Sequence, residues 1–127
     1  MNIEPMIVVS NVERSSQFYQ QVLGLESAHG GDEYEMLTYQ NRLVLQLHRS
    51  DAHEHPAMWQ ANAVNGNGVI LWFRTGMFTA AVETILSSEA VIVAEPHINP
   101  NAKQHEIWFR DPDGYLVVVS DHFGNAA

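Results

Sequence analysis

Cysteine is absent from the 127-residue chain. That excludes disulfides, thiolate chemistry and Cys-based zinc sites. Basic side chains are scarce, six Lys and Arg against fifteen Asp and Glu, for a formal net charge of -9. A field of that sign repels phosphate backbones and anionic lipid surfaces, so neither nucleic acid nor a membrane is expected as a partner. No apolar run approaches the ~20 residues of a membrane span. The opening "MNIEPMIVVSN" has no basic stretch, and Glu4 sits where a secretion signal would need an apolar residue. The expectation is a soluble cytoplasmic protein. Hydrophobic residues make up 46%, enough for one domain with a real core in a chain of this length.

The hydrophobic periodicity divides the chain into two similar halves. "EPMIVVS" (4–10) reads as a strand, and Ser10-x-x-Glu13 as a capping box. Val12, Ser15, Phe18, Tyr19, Val22 and Leu23 then share one helical face, and Gly24 stops that helix. "LESAHGG" (25–31) reads as a strand ending in a Gly-Gly turn, and "EYEMLTYQ" (33–40) and "RLVLQLHR" (42–49) read as strands. In the last of these Leu43, Leu45 and Leu47 take one face, and Val44, Gln46 and His48 the other. A long polar loop follows from Ser50 to Asn67, holding His53, Glu54, His55 and Trp59. The order then repeats. "GVILWFRT" (68–75) is a strand, and Met77, Phe78, Ala81, Val82, Ile85 and Leu86 make an amphipathic helix. "AVIVAEPH" (90–97), "HEIWFR" (105–110) and "YLVVVS" (115–120) are further strands. The order predicts two βαβββ modules, residues 1–62 and 63–127, in a single domain.

Between the last two strands stands Asp111-Pro112-Asp113-Gly114. Asp at the first position, Pro at the second and Gly at the last suit a type I turn. Turn chemistry accounts for all four residues, so the turn is read as structural rather than as a site.

Two stretches resemble the vicinal oxygen chelate superfamily, which includes glyoxalase I, extradiol dioxygenases, and fosfomycin and bleomycin resistance proteins. "VVSNVERSSQFYQQVLGLE" (8–26) is similar to its first strand and helix, and "EIWFRDPDGYLVVV" (106–119) to its closing hairpin. The resemblance implies an α+β fold whose two modules form a curved mixed sheet around a cavity, and a homodimer. In metal-dependent members, four side chains from the first and fourth strands of the modules hold a divalent ion. Here those positions fall on Glu4, Gln46, Val69 and Val118, with His48 beside Gln46. Two valines cannot ligate, and an acid plus an amide make a poor divalent site.

The expected function is therefore small-molecule binding in an apolar cavity, as in the bleomycin resistance proteins, without a metal cofactor. The candidate ligand-binding residues are Glu4, Gln46, His48, Trp72, Trp108 and Val118, with Leu71, Phe73 and Tyr39 as further walls. The alternative is a metal-dependent lyase, isomerase or dioxygenase, using a divalent ion held by Glu4, Gln46, His48 and the 53–55 loop. His97 and His105 bracket a loop read over 98–104. His105 and Glu106 could supply an acid and a base, but alternation puts them on opposite faces.

Overall fold

The computed structural model describes residues 1–50 and 66–126. Two compact units divide the chain, Met1–Asn65 and Gly66–Ala127.

In the first unit β1 (Met6–Val9) leads into α1 (Val12–Leu23), followed by β2 (Glu26–Ser27), β3 (Tyr34–Tyr39) and β4 (Arg42–Arg49). The sheet order is β1-β4-β3-β2, with β1 parallel to β4 and the other pairs antiparallel. The helical face expected from the sequence is the buried one. Val12, Phe18, Tyr19 and Val22 are each no more than 2% exposed, and each such burial contributes roughly 1.5–3 kcal/mol. Ile7, Val9, Leu45, Leu47 and Leu37 meet them from the sheet. The helix start differs from the capping box read at Ser10. Asn11 is the cap, with extended backbone, and its Oδ1 accepts from the Arg14 N–H at 3.0 Å. Helical geometry begins at Val12, so Ser10 lies one residue too early and Glu13 falls at the second helical position instead of the third. At the other end Gly24 is left-handed at φ 69° and donates its N–H to the Gln20 carbonyl, a conformation open to glycine at little cost.

The second unit repeats the order: β5 (Ile70–Arg74), α2 (Phe78–Leu86), β6 (Val91–Asn99), β7 (Gln104–Arg110) and β8 (Leu116–Ser120). Its sheet runs β5-β8-β7-β6, again with the first pair parallel. Register sets two faces. Leu71, Phe73, Val117, Val119, Ile107 and Phe109 share the face that α2 covers, with Ile85 fully buried on the helix. Trp72, Val118 and Trp108 form a row on the opposite face. Leu71 and Phe73 therefore do not line a pocket with Val118. They pair with Val117 and Val119, one residue out of phase, and a strand's period of two sends them to the helix side. The loop expected over 98–104 is also shorter. β6 runs to Asn99 and β7 starts at Gln104, with Ile98 opposite His105. Pro96 is accommodated because β6 is an edge strand.

The closing turn has the geometry read from its sequence. Gly114 N–H donates to the Asp111 carbonyl at 3.0 Å, and Asp111 Oδ1 accepts from the N–H groups of Asp113 and Tyr115, both at 2.9 Å. Gly114 sits at φ 90°. Among the described residues no helix is long and apolar enough to cross a membrane.

Candidate functional site

On the face of the second sheet away from α2, two adjacent rows of side chains run across β5, β8 and β7. The first row is Trp72, Val118 and Trp108. The second is Arg74, Ser120 and Glu106, continued on β6 by His97 opposite Glu106. The two indoles are tied to the second row. Trp72 Nε1 donates to Ser120 Oγ at 2.8 Å, and Trp108 Nε1 donates to Glu106 Oε1 at 2.9 Å. Both polar edges are thus satisfied within the unit, and what the indoles can offer a ligand is their apolar faces. Trp72 remains 41% exposed, while Val118 between the two is fully buried. Two strand spacings, roughly 9.5 Å, separate the backbones of the tryptophans.

Glu106 anchors the polar row. Its carboxylate is 1% exposed. It accepts from Gln104 Nε2 at 2.8 Å and Asn99 Nδ2 at 2.9 Å, besides the Trp108 indole, and His97 Nε2 lies 3.7 Å away. Burial alone would raise its pKa. The donors from Gln104, Asn99 and Trp108, with the nearby His97, outweigh burial and hold the carboxyl below its ordinary range. Arg74 closes the row by donating to Gln104 Oε1 at 2.8 Å and to the Asp121 carbonyl at 2.7 Å.

Of the residues expected from the sequence, Trp72, Trp108 and Val118 come together in this row. Glu4, Gln46 and His48 lie in the other unit. Glu4 precedes β1 and is exposed. Gln46 and His48 share the β4 face away from α1, as alternation required. Gln46 uses both ends of its amide locally, accepting from the Tyr34 hydroxyl and donating to the Glu4 carbonyl. Burial, then the charges of Glu4 and Glu35, push the Tyr34 phenol above its ordinary range. His48 is 5% exposed, and its Nδ1 lies 3.1 Å from the Arg49 carbonyl. Tyr39, named as a wall, stands exposed at the end of β3. His53 and His55, offered as extra ligands, lie outside the described residues. Of the four positions that the resemblance assigns to metal ligands, Val69 and Val118 have no donor atom, and the Gln46 amide is hydrogen-bonded at both ends within its own unit.

Arg74, Gln104 and Ser120 were not singled out from the sequence, and Glu106 was weighed there only as a partner for His105, which alternation places on the other face. A signal existed for part of the set. Gln104, Glu106 and Trp108 alternate along β7, which places all three on one face. Joining them to Trp72 and Arg74 needed the strand order, which no local pattern carries.

Paired units of strand, helix and three strands, each with its first and last strands parallel neighbours, define the class of protein. The model of the Glyoxalase/Bleomycin resistance protein/Dioxygenase superfamily matches residues 4–119, and the chain belongs to that superfamily. Solved structures share the fold at low identity. A glyoxalase/bleomycin resistance protein/dioxygenase family enzyme from Burkholderia phytofirmans aligns at 16% identity and TM-score 0.79, covering 95% of this chain and 98% of that one. A glyoxalase-related enzyme from Fulvimarina pelagi aligns at 12% identity and TM-score 0.78, covering 96% and 88%. A virulence protein from Salmonella typhimurium aligns at 23% identity and TM-score 0.71, covering 96% and 97%. The search of curated proteins returned no match.

Proposed function

We propose that this protein binds a small planar molecule against the faces of Trp72 and Trp108, with the ligand's polar end toward the exposed Arg74, and that it does so without the superfamily's usual metal. The observation that carries the reading is the tethering of both indole N–H groups to the neighbouring polar row. Rigid aromatic faces beside a few fixed polar groups are the general form of a small-molecule site. Support for metal-free binding comes from the donor chemistry at Val69 and Val118. We further propose that the protein is cytoplasmic and a homodimer; light scattering on the purified chain would test the second.

The experiment is an NMR titration with 2-naphthol, a planar probe with one hydroxyl, following the indole N–H signals of Trp72 and Trp108. Saturable shifts at both are expected. Trp72→Ala and Trp108→Ala should each weaken binding by roughly 0.5–1.5 kcal/mol beyond lost area. Metal content is measured on the same samples. Binding that requires an added divalent ion, or indole signals that never move, would refute the proposal.

A further inference from the structure

The opposite face of the second unit carries a separate constellation. His105 alternates with Glu106 and so faces α2. Its Nδ1 lies 2.6 Å from Asp121 Oδ2, while its backbone N–H donates to Asp121 Oδ1 at 2.7 Å. Asp121 is 4% exposed and also accepts from Asn125 Nδ2 at 2.9 Å. Burial by itself would raise the Asp121 carboxyl. The donors from Asn125 and His105 outweigh it, and the group is held below its ordinary range. An ionised carboxylate can only accept, so the proton of a neutral His105 ring resides on Nδ1. Nε2 is then left as an acceptor, and among the described residues it has no hydrogen-bond partner. The imidazole side chain is 39% exposed.

This ring opens on a cleft of about 470 Å³ lined by Phe78, Val82, Pro96, His105, Asp121 and Asn125. Phe78 lies against the imidazole with ring centroids 5.7 Å apart. A carboxylate that fixes the tautomer and orientation of an imidazole bordering a cleft, with Phe78, Val82 and Pro96 among the other lining residues, is arranged to receive one proton donor from a ring-bearing molecule. Glu83 also borders the cleft, and with Asp121 it disfavours an anionic occupant.

We infer that this cleft is a second binding site, taking a small aromatic hydroxyl compound whose O–H donates to Nε2 of His105 while its ring packs on Phe78, Val82 and Pro96. Asp121 acts as the positioning residue. This site lies on the other face of the sheet from the tryptophan row and does not depend on that row's function.

The test compares phenol with anisole, which keeps the ring and the oxygen but lacks the donor. Both are titrated into the whole protein, with the His105 ring signals followed by NMR. Phenol should shift them saturably and bind about three- to tenfold more tightly than anisole, the effect of one hydrogen bond. His105→Phe, with its fold checked by circular dichroism, should erase that preference. Asp121→Asn should change the Nδ1–H to Nε2–H tautomer ratio read from the ring nitrogen shifts. Equal affinity for the two probes overturns the inference. So does a phenol response confined to Trp72 and Trp108, or a preference that survives in His105→Phe. An unchanged tautomer ratio in Asp121→Asn overturns the role given to Asp121.

Discussion

Replacing Glu106 tests whether the polar row is built around one ionised carboxylate. In Glu106→Ala three donors lose their acceptor. Gln104 is 3% exposed, so its amide cannot turn to water, and an unsatisfied buried donor of this kind costs about 1–3 kcal/mol. Asn99 and Trp108 are half-buried and partly rehydrate, which adds about 0.5–1 kcal/mol each. Release of a buried charge offsets some of the loss, leaving a net destabilisation of about 2–4 kcal/mol. Glu106→Gln keeps one carbonyl oxygen but sets an NH₂ against one donor, for about 1–2 kcal/mol. Urea unfolding followed by tryptophan fluorescence reads both variants. The pH dependence gives the sharper result. A carboxyl whose folded pKa is lowered adds stability above the ordinary carboxylate pKa of about 4, and that stability is lost as pH falls through the folded value. Protonated Glu106 resembles the glutamine. The gap between the parent and Glu106→Gln should therefore be wide at neutral pH and narrow in acid. A gap that stays constant with pH, or an alanine variant as stable as the parent, would refute the reasoning.

Two further substitutions probe the backbone. Gly114 has φ 90° with open space around the site of a Cβ. Gly114→Ala should therefore cost about 1 kcal/mol from strain alone, with no clash term, and an unchanged melting temperature would contradict the turn geometry. Asn11→Ala should cost about 1 kcal/mol by removing the cap on α1, and restoration by Asn11→Ser or Asn11→Asp would confirm that a side-chain acceptor is what matters.

Much of the fold was legible in order along the chain. Alternation in "RLVLQLHR" located β4 at Arg42–Arg49, and the 3.6-residue spacing located α1 at Val12–Leu23. Asp111-Pro112-Asp113-Gly114 declared its turn because each residue has a local conformational preference. These signals are short-range, and a sequence carries them whole. Phase across neighbouring strands is a different matter. Alternation within β5 cannot say whether Leu71 or Trp72 is level with Val118. Only the parallel register between β5 and β8 decides it, and it puts Trp72 there. Likewise Glu106 reads locally as one acidic residue in a strand. Its burial among Gln104, Asn99 and Trp108 depends on β6 and β8 flanking β7. His105 and Asp121 are sixteen positions apart and meet through the β7–β8 pairing. Sequence by itself determined the order of the elements and the alternation of faces along strands such as β4 and β7. Tertiary structure decided which side chains share a row, because hydrogen-bond register between distant strands is set by the packing of the whole sheet and not by any single segment.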